Sequence, residues 1–324
     1  MRILITGVNG FIGSQIANYF AKKGCEIIGI GRQQNPSDLV VEKIEYICWD
    51  LRFSCVHELK ADVVIHSAAL AADKGQFSDF FDNNVTATQN LLNALHGNPI
   101  FIYVSTSSVY RFDEYPAKEG DTNNEVFPLS NYGRSKLLAE RLILDCENLN
   151  TKFILRPRSV YGVHDRLILP RLLNLVKGEK IIIPKHITKF ISLTHIENFI
   201  HAVDLCIQNP LKQGTYNIAD EFAYDLSIEL PNLIGAATGM ELSTMEIPKF
   251  IWESAVQLNE IFGFHSNLSR FGSDQLTKIA LLDISEAQEN LNYRPMKKID
   301  DSFTDINNWI NSIGGWKVYR SFKK

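Results

Sequence analysis

Paired cysteine, long apolar runs and an excess of positive charge are all missing from this chain of 324 residues. Its five cysteines (Cys25, Cys48, Cys55, Cys146 and Cys206) are scattered, odd in number and free of any CxxC spacing. That excludes a disulfide framework and a cysteine-based metal site, and it fits a reducing cytoplasm. No apolar run approaches the roughly 20 residues needed to cross a bilayer, so no integral membrane segment is expected. Met1-Arg2 leads straight into a strand-like run, without the charged start, apolar stretch and small-residue cleavage site of a signal peptide. With 33 basic and 37 acidic residues the net charge is −4, which gives no electrostatic case for nucleic acid. A weakly basic end (Lys317, Arg320, Lys323, Lys324) reads as a solvated tail. Internal repeats, low-complexity stretches and a Pro/Gly/Ser-rich linker are absent too.

What is present is a rhythm. Strand-like runs at 3–5, 26–30, 44–48, 63–65, 100–104 and 153–155 alternate with helical patterns at 11–23, 85–95 and 132–144. Apolar runs without period-two alternation belong to strands buried on both faces. Their alternation with helices predicts an α/β fold, a doubly wound parallel sheet of Rossmann type. After Pro157 the rhythm changes. Short strands at 181–183, 190–193 and 216–218 mix with helices at 167–177, 195–208, 226–238 and 285–292. We therefore expect a dinucleotide-binding domain over 1–156. A smaller α/β region for substrate, 157–324, packs on it and returns elements to it.

The chain opens on a phosphate-binding pattern. Thr6-Gly7-Val8-Asn9-Gly10-Phe11-Ile12-Gly13 spaces three glycines between the first strand and the first helix. There they serve a tight turn, close approach to a pyrophosphate and close helix–strand packing. The helix start presents free N–H groups and a positive dipole end to phosphate. About 20 positions further on, where an NAD site usually carries an acidic residue for the ribose hydroxyls, stands Gly31, followed by Arg32. A carboxylate that would repel a 2′-phosphate is missing and a guanidinium that could bind one is present. NADP(H) is the expected cofactor, with NAD(H) as the alternative.

Tyr132 and Lys136 lie four apart on a helix, hence on one face. A nearby ammonium favours the phenolate and would lower the tyrosine pKa, suiting Tyr132 to acid–base work on a carbonyl or alcohol. Lys136 could also hold the nicotinamide ribose. Upstream, Val104-Ser105-Thr106-Ser107-Ser108-Val109-Tyr110 sets hydroxyls at the carboxyl end of a strand, the edge where open α/β sheets bind ligands.

Together these stretches resemble the extended short-chain dehydrogenase/reductase superfamily, which includes nucleotide-sugar epimerases and hydroxysteroid dehydrogenases. Further matches are Asp50-Leu51, His66-Ser67-Ala68-Ala69, Asn84-Val85 and Arg156-Pro157-Arg158-Ser159-Val160-Tyr161-Gly162. The resemblance implies Asp50 and Leu51 near adenine, Ala68 and Ala69 along the cofactor, and Pro157 and Val160 beside the nicotinamide. It gives Asn84 a structural hydrogen-bond role close to the site. It selects Thr106 as the active hydroxyl, four residues before Tyr110, with Ser105 and Ser107 as the other candidates. Arg111 stands where the family usually has glycine. A homodimer through helices of the first domain is implied by the resemblance alone.

The substrate is read from the second half. Nucleotide-sugar enzymes of this type usually carry a GxGxxxRDF-like stretch where this chain has Ile183-Pro184-Lys185-His186-Ile187-Thr188-Lys189-Phe190-Ile191. Other parts resemble the hydroxysteroid dehydrogenase branch: Leu169-Pro170-Arg171-Leu172-Leu173, Thr194-His195-Ile196-Glu197-Asn198, Leu282-Asp283-Ile284-Ser285 and Tyr293-Arg294-Pro295. An apolar stripe at Phe250-Ile251, Ala255, Leu258 and Ile261-Phe262 reads as core, as a pocket wall or as a membrane-resting face. His195 reads as a helix cap or core residue. The expected activity is hydride transfer between NADP(H) and a ketone or secondary alcohol of apolar or mixed character. The alternatives are a nucleotide-sugar epimerase/dehydratase or 4-ketoreductase and, from another class, a cofactor-sensing protein without catalysis.

Overall fold

The computed structural model describes every residue except 41, 55–57, 73, 113–115, 123–129, 186, 189, 263–269 and 321–324, together with the side chains at 260–262, 270, 271 and 275. Cys55, His186, Lys189, Lys323 and Lys324 thus lie outside the described residues, as do the side chains of Ile261 and Phe262. The first half runs β1 (Arg2–Thr6), α1 (Phe11–Lys22), β2 (Glu26–Gly31), β3 (Glu45–Cys48), β4 (Val63–His66), α2 (Phe77–Phe80), a π-helical turn (Phe81–Thr86), α3 (Ala87–Ala94), β5 (Ile100–Val104), α4 (Asn131–Leu144) and β6 (Thr151–Pro157). The second half adds β7 (Val160–Tyr161), α5 (Ile168–Leu173), β8 (Val176–Lys177), β9 (Lys180–Pro184), β10 (Thr194–His195), α6 (Ile196–Gln208), β11 (Gly214–Ile218), α7 (Leu226–Thr238), β12 (Ser243–Ile247), α8 (Lys249–Phe262), α9 (Arg270–Thr277), α10 (Ser285–Asn290), α11 (Phe303–Ser312) and α12 (Trp316–Arg320).

The main sheet has seven strands in the order β11-β6-β5-β4-β1-β2-β3, all parallel. Successive strand residues point to opposite faces. Ile3, Ile5, Val63 and Ile65 therefore pack on α1 and α6, through Ile16, Phe20, Phe199 and Val203. Leu4, Val64, Phe101 and Tyr103 pack on α3 and α4, through Leu91, Ala139 and Ile143. Burial on both faces explains why the strands read as unbroken apolar runs. From β1 the chain winds outward through β2 and β3, then returns to β4 and winds the other way. That makes the β1/β4 seam the switch point, where the carboxyl ends of the strands leave a crevice. β6 crosses position 157, and β11 comes from the second half to join the sheet's edge. A second core lies in the later residues, with Leu169, Leu173, Ile181, Leu230, Ile234, Trp252, Ile306, Ile310 and Tyr319 among its members.

Three local expectations differ from the structure. The helix expected from Val85 begins at Phe77 and passes through the π-turn at 81–86. The wider turn shifts the phase of the helix and carries Asn84 inward, where it is 1 % exposed; such turns are frequent at functional sites. The helix expected over 167–177 stops at Leu173, because Gly178 (φ +62°) turns β8 back on β9 as a hairpin. Around Phe190–Leu193 there is no full strand, only bridges from Ile191 to Tyr224 and Ala280.

Candidate active site

The crevice at the switch point is a cleft of about 880 Å³. Gly7, Gly10, Phe11, Ile12, Gly13, Arg32, Asp50, Leu51, Ala68, Ala69, Thr106, Tyr132, Lys136, Pro157 and Val160 all line it. Asn84 does not. Its side chain accepts from Leu70 N (2.7 Å) and donates to Leu70 O (3.2 Å) and Ser135 Oγ (2.8 Å), tying the loop after β4 to α4.

The glycine turn fits a dinucleotide phosphate. Gly7 sits at φ +68°, and a Cβ there would lie 2.8 Å from the Ala68 backbone. A Cβ on Gly13 would lie 2.3 Å from Gly7 O, so only glycine lets α1 start this close to β1. Gly10 is the N-cap of α1 and brings no side chain to the first turn, leaving that turn's N–H groups for a ligand. The seam beside it is stapled by a fully buried histidine. His66 bridges Thr6 Oγ1 (2.6 Å) and Thr88 Oγ1 (2.9 Å), and Ser67 Oγ donates to Thr6 O at 2.6 Å. Burial, helped by the Lys136 charge, pulls the His66 pKa down to about 3, so it stays neutral.

At the adenosine end, a Cβ on Gly31 would meet the Tyr46 hydroxyl at 2.6 Å and Asn9 Nδ2 at 3.0 Å. The Tyr46 hydroxyl thus fills the space beside Gly31 where an NAD site usually has a carboxylate. Asn9 holds the loop after β2, donating to Tyr46 Oη (3.0 Å) and Gln33 Oε1 (3.1 Å) and accepting from Ser37 N (2.9 Å). Two arginines border this end: the expected Arg32, which is exposed, and Arg52. Arg52 grips Asp50 with Nη2–Oδ2 at 2.6 Å and holds that carboxyl below its usual range. The sequence reading missed Arg52; its place two residues after Asp50 was the available signal.

At the other end Tyr132, on the first turn of α4, is half buried. Ser130 caps this helix, accepting from Gly133 N at 3.0 Å. Burial pushes the Tyr132 hydroxyl up to about 12, while its hydrogen bond with Thr106 pulls the other way. The expected lowering by Lys136 is thus not what the structure shows. Lys136, 1 % exposed, donates to Val104 O at 2.7 Å and lies 3.9 Å from the Tyr103 ring centre. Burial lowers its own pKa to about 7, opposed by the Glu140 charge. Tyr132 is accordingly protonated at neutral pH rather than a phenolate.

The three hydroxyl candidates separate. Ser105 Oγ donates to buried Glu140. Ser107 Oγ accepts from Arg158 Nη1 at 3.5 Å. Thr106, which also accepts from Ser108 N at 3.1 Å, is the one joined to Tyr132. Glu140 was not foreseen, although it stands four after Lys136 as Lys136 stands four after Tyr132. It forms a buried ion pair with Arg156 (Nη2–Oε2 2.6 Å, Nε–Oε1 3.0 Å). Arg156 continues to Tyr110 Oη (2.9 Å), which donates to Asn217 Oδ1 (2.6 Å), so α4, the hydroxyl loop and β11 share one network. His195 acts as a cap, as expected: its Nδ1 accepts from Glu197 N at 3.2 Å.

Beyond Tyr132 the cleft is closed by the second half of the chain, with Arg158, Asp165 to Ile168, Arg171, Leu172, Leu175 and Leu276. The expected stripe on α8 is not core: Phe250, Ile251, Ala255 and Leu258 are exposed, and the helix packs on the second core through Trp252 and Val256 instead. None of the described stripe residues lines the cleft. Among the described residues no helix is long and apolar enough to cross a membrane.

Comparison with known proteins agrees with this geometry. The model of the NAD dependent epimerase/dehydratase family matches residues 3–219. The chain is 27 % identical to the uncharacterized protein YbjS of Escherichia coli, over 97 % of this chain and 99 % of that one. It is 24 % identical to a 2-alkyl-3-oxoalkanoate reductase of Shewanella oneidensis, over 92 % and 83 %. The solved UDP-glucuronic acid 4-epimerase of Bacillus cereus, in complex with NAD, shares the fold at a TM-score of 0.73 and 23 % identity, over 96 % of this chain and 99 % of that one. The chain belongs to the NAD-dependent epimerase/dehydratase family and is an NAD(P)-dependent enzyme of the extended short-chain dehydrogenase type.

Proposed function

We propose that this enzyme is an NADP(H)-dependent reductase of ketones carrying an apolar chain. The observation that carries the reading is the apolar part of the cleft lining: Leu167, Ile168, Leu172, Leu175 and Leu276 share one cavity with Tyr132 and Thr106, a surface suited to an alkyl chain. The similarity to an oxoalkanoate reductase over most of both chains supports it. So does the protonated state of Tyr132, which suits the reductive direction.

Gly7, Gly10 and Gly13 would hold a nicotinamide cofactor, which when bound would supply a hydride for a carbonyl carbon. Thr106 and Tyr132 hold the carbonyl oxygen. As the C=O π pair moves onto oxygen, Tyr132 gives up its proton to it, leaving a secondary alcohol and a tyrosinate that regains a proton from solvent. Lys136, one helical turn beyond Tyr132 with its Nζ between Val104 O and the Tyr103 ring, would hold the nicotinamide ribose. Arg32 and Arg52 would select a 2′-phosphate at the far end of the cofactor, where Gly31 supplies no competing carboxylate.

A second reading, a nucleotide-sugar epimerase or 4-ketoreductase, is favoured by the fold shared with the UDP-glucuronic acid 4-epimerase. Titration of the purified protein with NADPH and NADH, followed by turnover assays on alkyl ketones and on UDP-sugars, separates the two. Tighter NADPH binding with net NADPH oxidation by ketones is the expected result. Tighter NADH binding together with UDP-sugar turnover would replace it with the second reading.

A further inference from the structure

Under the catalytic centre lies an ion pair that the chemistry above does not use. Glu140 of α4 and Arg156 of β6 are both buried. Burying two charges sacrifices hydration that their attraction rarely regains in full, and an apolar pair of similar volume often holds a fold as well. What an apolar pair cannot do is fix polar groups. Here the polar contacts run to the two ends of one loop. Glu140 accepts from Ser105 Oγ at the loop's start, and Arg156 donates to Tyr110 Oη at its end (2.9 Å). Thr106 stands between them. The main chain at the start is engaged as well: Ser105 N donates to Leu155 O at 2.7 Å, and Val104 O accepts from Lys136 Nζ.

Spacing on α4 adds a second relation. Tyr132, Lys136 and Glu140 follow one another at intervals of four, so they form one stripe along the helix. Other titratable groups surround Lys136. His66 of β4 is neutral. Tyr103 of β5 turns its ring to Nζ, and burial raises its pKa well above the ordinary value. Tyr132 is protonated, and Arg156 of β6 is bonded to Glu140. Of these groups only Glu140 is negative. It favours the ammonium against burial, which pulls the Lys136 pKa down to about 7.

The inference rests on Thr106, Tyr132 and Lys136 being the catalytic centre, as in the reading above, and not on the substrate. We propose that Glu140, joined to Arg156, is a positioning residue for that centre. It fixes the loop that carries Thr106, and it supplies the negative charge that keeps Lys136 an ammonium. An ammonium brings three N–H donors, so one can go to Val104 O and leave others for ribose hydroxyls.

Lysine labelled with ¹³C at Cε reports the charge of Lys136 by NMR, and Lys136→Met identifies its signal; no substrate is needed. Glu140→Gln keeps the side chain's shape and an acceptor for Ser105 but removes the charge. The Lys136 titration midpoint should then fall by about one pH unit. With NADPH and methyl 3-oxododecanoate, kcat should fall about 10-fold and KM change less. Ser105→Ala cuts the loop contact without touching a charge, so kcat should fall by a few-fold with the midpoint unmoved. Should Glu140→Gln not fold, Glu140→Met combined with Arg156→Leu replaces the pair by apolar side chains. That variant should melt no lower than the unaltered protein and still show a lowered midpoint. An unmoved midpoint on loss of Glu140, or full turnover by a variant whose midpoint has fallen, overturns the inference. No turnover of the ketoester by the unaltered enzyme overturns the reductase reading instead, and the Lys136 midpoint then decides the role of Glu140 alone.

Discussion

The two ends of the cleft are built on different principles. The end proposed for adenosine and phosphate is made largely of backbone: a glycine turn at 7–13, the uncapped start of α1, and a strand end at Gly31 whose missing side chain leaves space for Tyr46. The end proposed for substrate is made of side chains drawn from the β6–β7 link, α5 and α9. Backbone geometry demands glycine at particular positions and so leaves a mark in the sequence. A side-chain wall accepts many residue types, and its members come together only through the fold.

The junction between the ends should give the largest effect when disturbed. Tyr132→Phe removes the proton donor and keeps the ring, including its contact with Phe80 at 6.5 Å between ring centres. Turnover of a ketone substrate should fall about 10³-fold, within the range for general acid catalysis. NADPH affinity should hardly change. A variant that keeps its turnover would place the proton donor elsewhere in the cleft.

Breaking only the adenosine end is the second step. Removing both Arg32 and Arg52 by substitution to Gln should weaken NADPH about 10- to 100-fold, the value of losing charge-assisted bonds to a phosphate. NADH affinity should stay within a few-fold. Equal loss for both cofactors would show that these arginines serve the loop and not the 2′-phosphate.

The seam that joins the ends gives the smallest effect, and it is read from pH. His66 has its pKa lowered from 6.5 to about 3 by burial, so the folded state holds it neutral while the unfolded chain takes up a proton below about 6.5. The unfolded state then binds more protons, so its stabilising contribution is complete above that pH and is lost as pH falls from there toward 3. Unfolding stability measured between pH 7 and 4 should decline on acidification, and the decline should be shallower in His66→Gln. An unchanged slope would mean that other groups govern acid unfolding.

How much of this was legible followed the same division. The central strands and α1 read correctly, because burial on both faces writes unbroken apolar runs and the helix writes a stripe. The glycines, Tyr132 and Lys136 were legible as candidates from their spacing and Thr106 from the family resemblance, and the structure brings all of them to one cleft. Asn84 was quoted, but its π-turn was not visible, since one residue of extra winding leaves no compositional trace. Glu140 and Arg156 needed the fold, because sixteen residues of chain separate the partners of their 2.6 Å ion pair. The closing helices α11 and α12 went unread. They contribute Ile306, Ile310 and Tyr319 to the second core, and Tyr319 donates to Asp165 O beside the cleft. That contact bridges 154 residues, a distance over which local pattern carries no information.

The central claim is net hydride transfer from NADPH to an oxo substrate, with Tyr132 as proton donor. Its most direct test is to supply NADPH deuterated at the transferring position together with 3-oxododecanoate or its methyl ester, and to follow the label by mass spectrometry. The account predicts one deuterium on the former carbonyl carbon of a hydroxy product for each NADPH oxidised, in the unaltered enzyme and not in Tyr132→Phe. Label retained on a bound cofactor, with no net oxidation and with UDP-sugar epimerised, would contradict it.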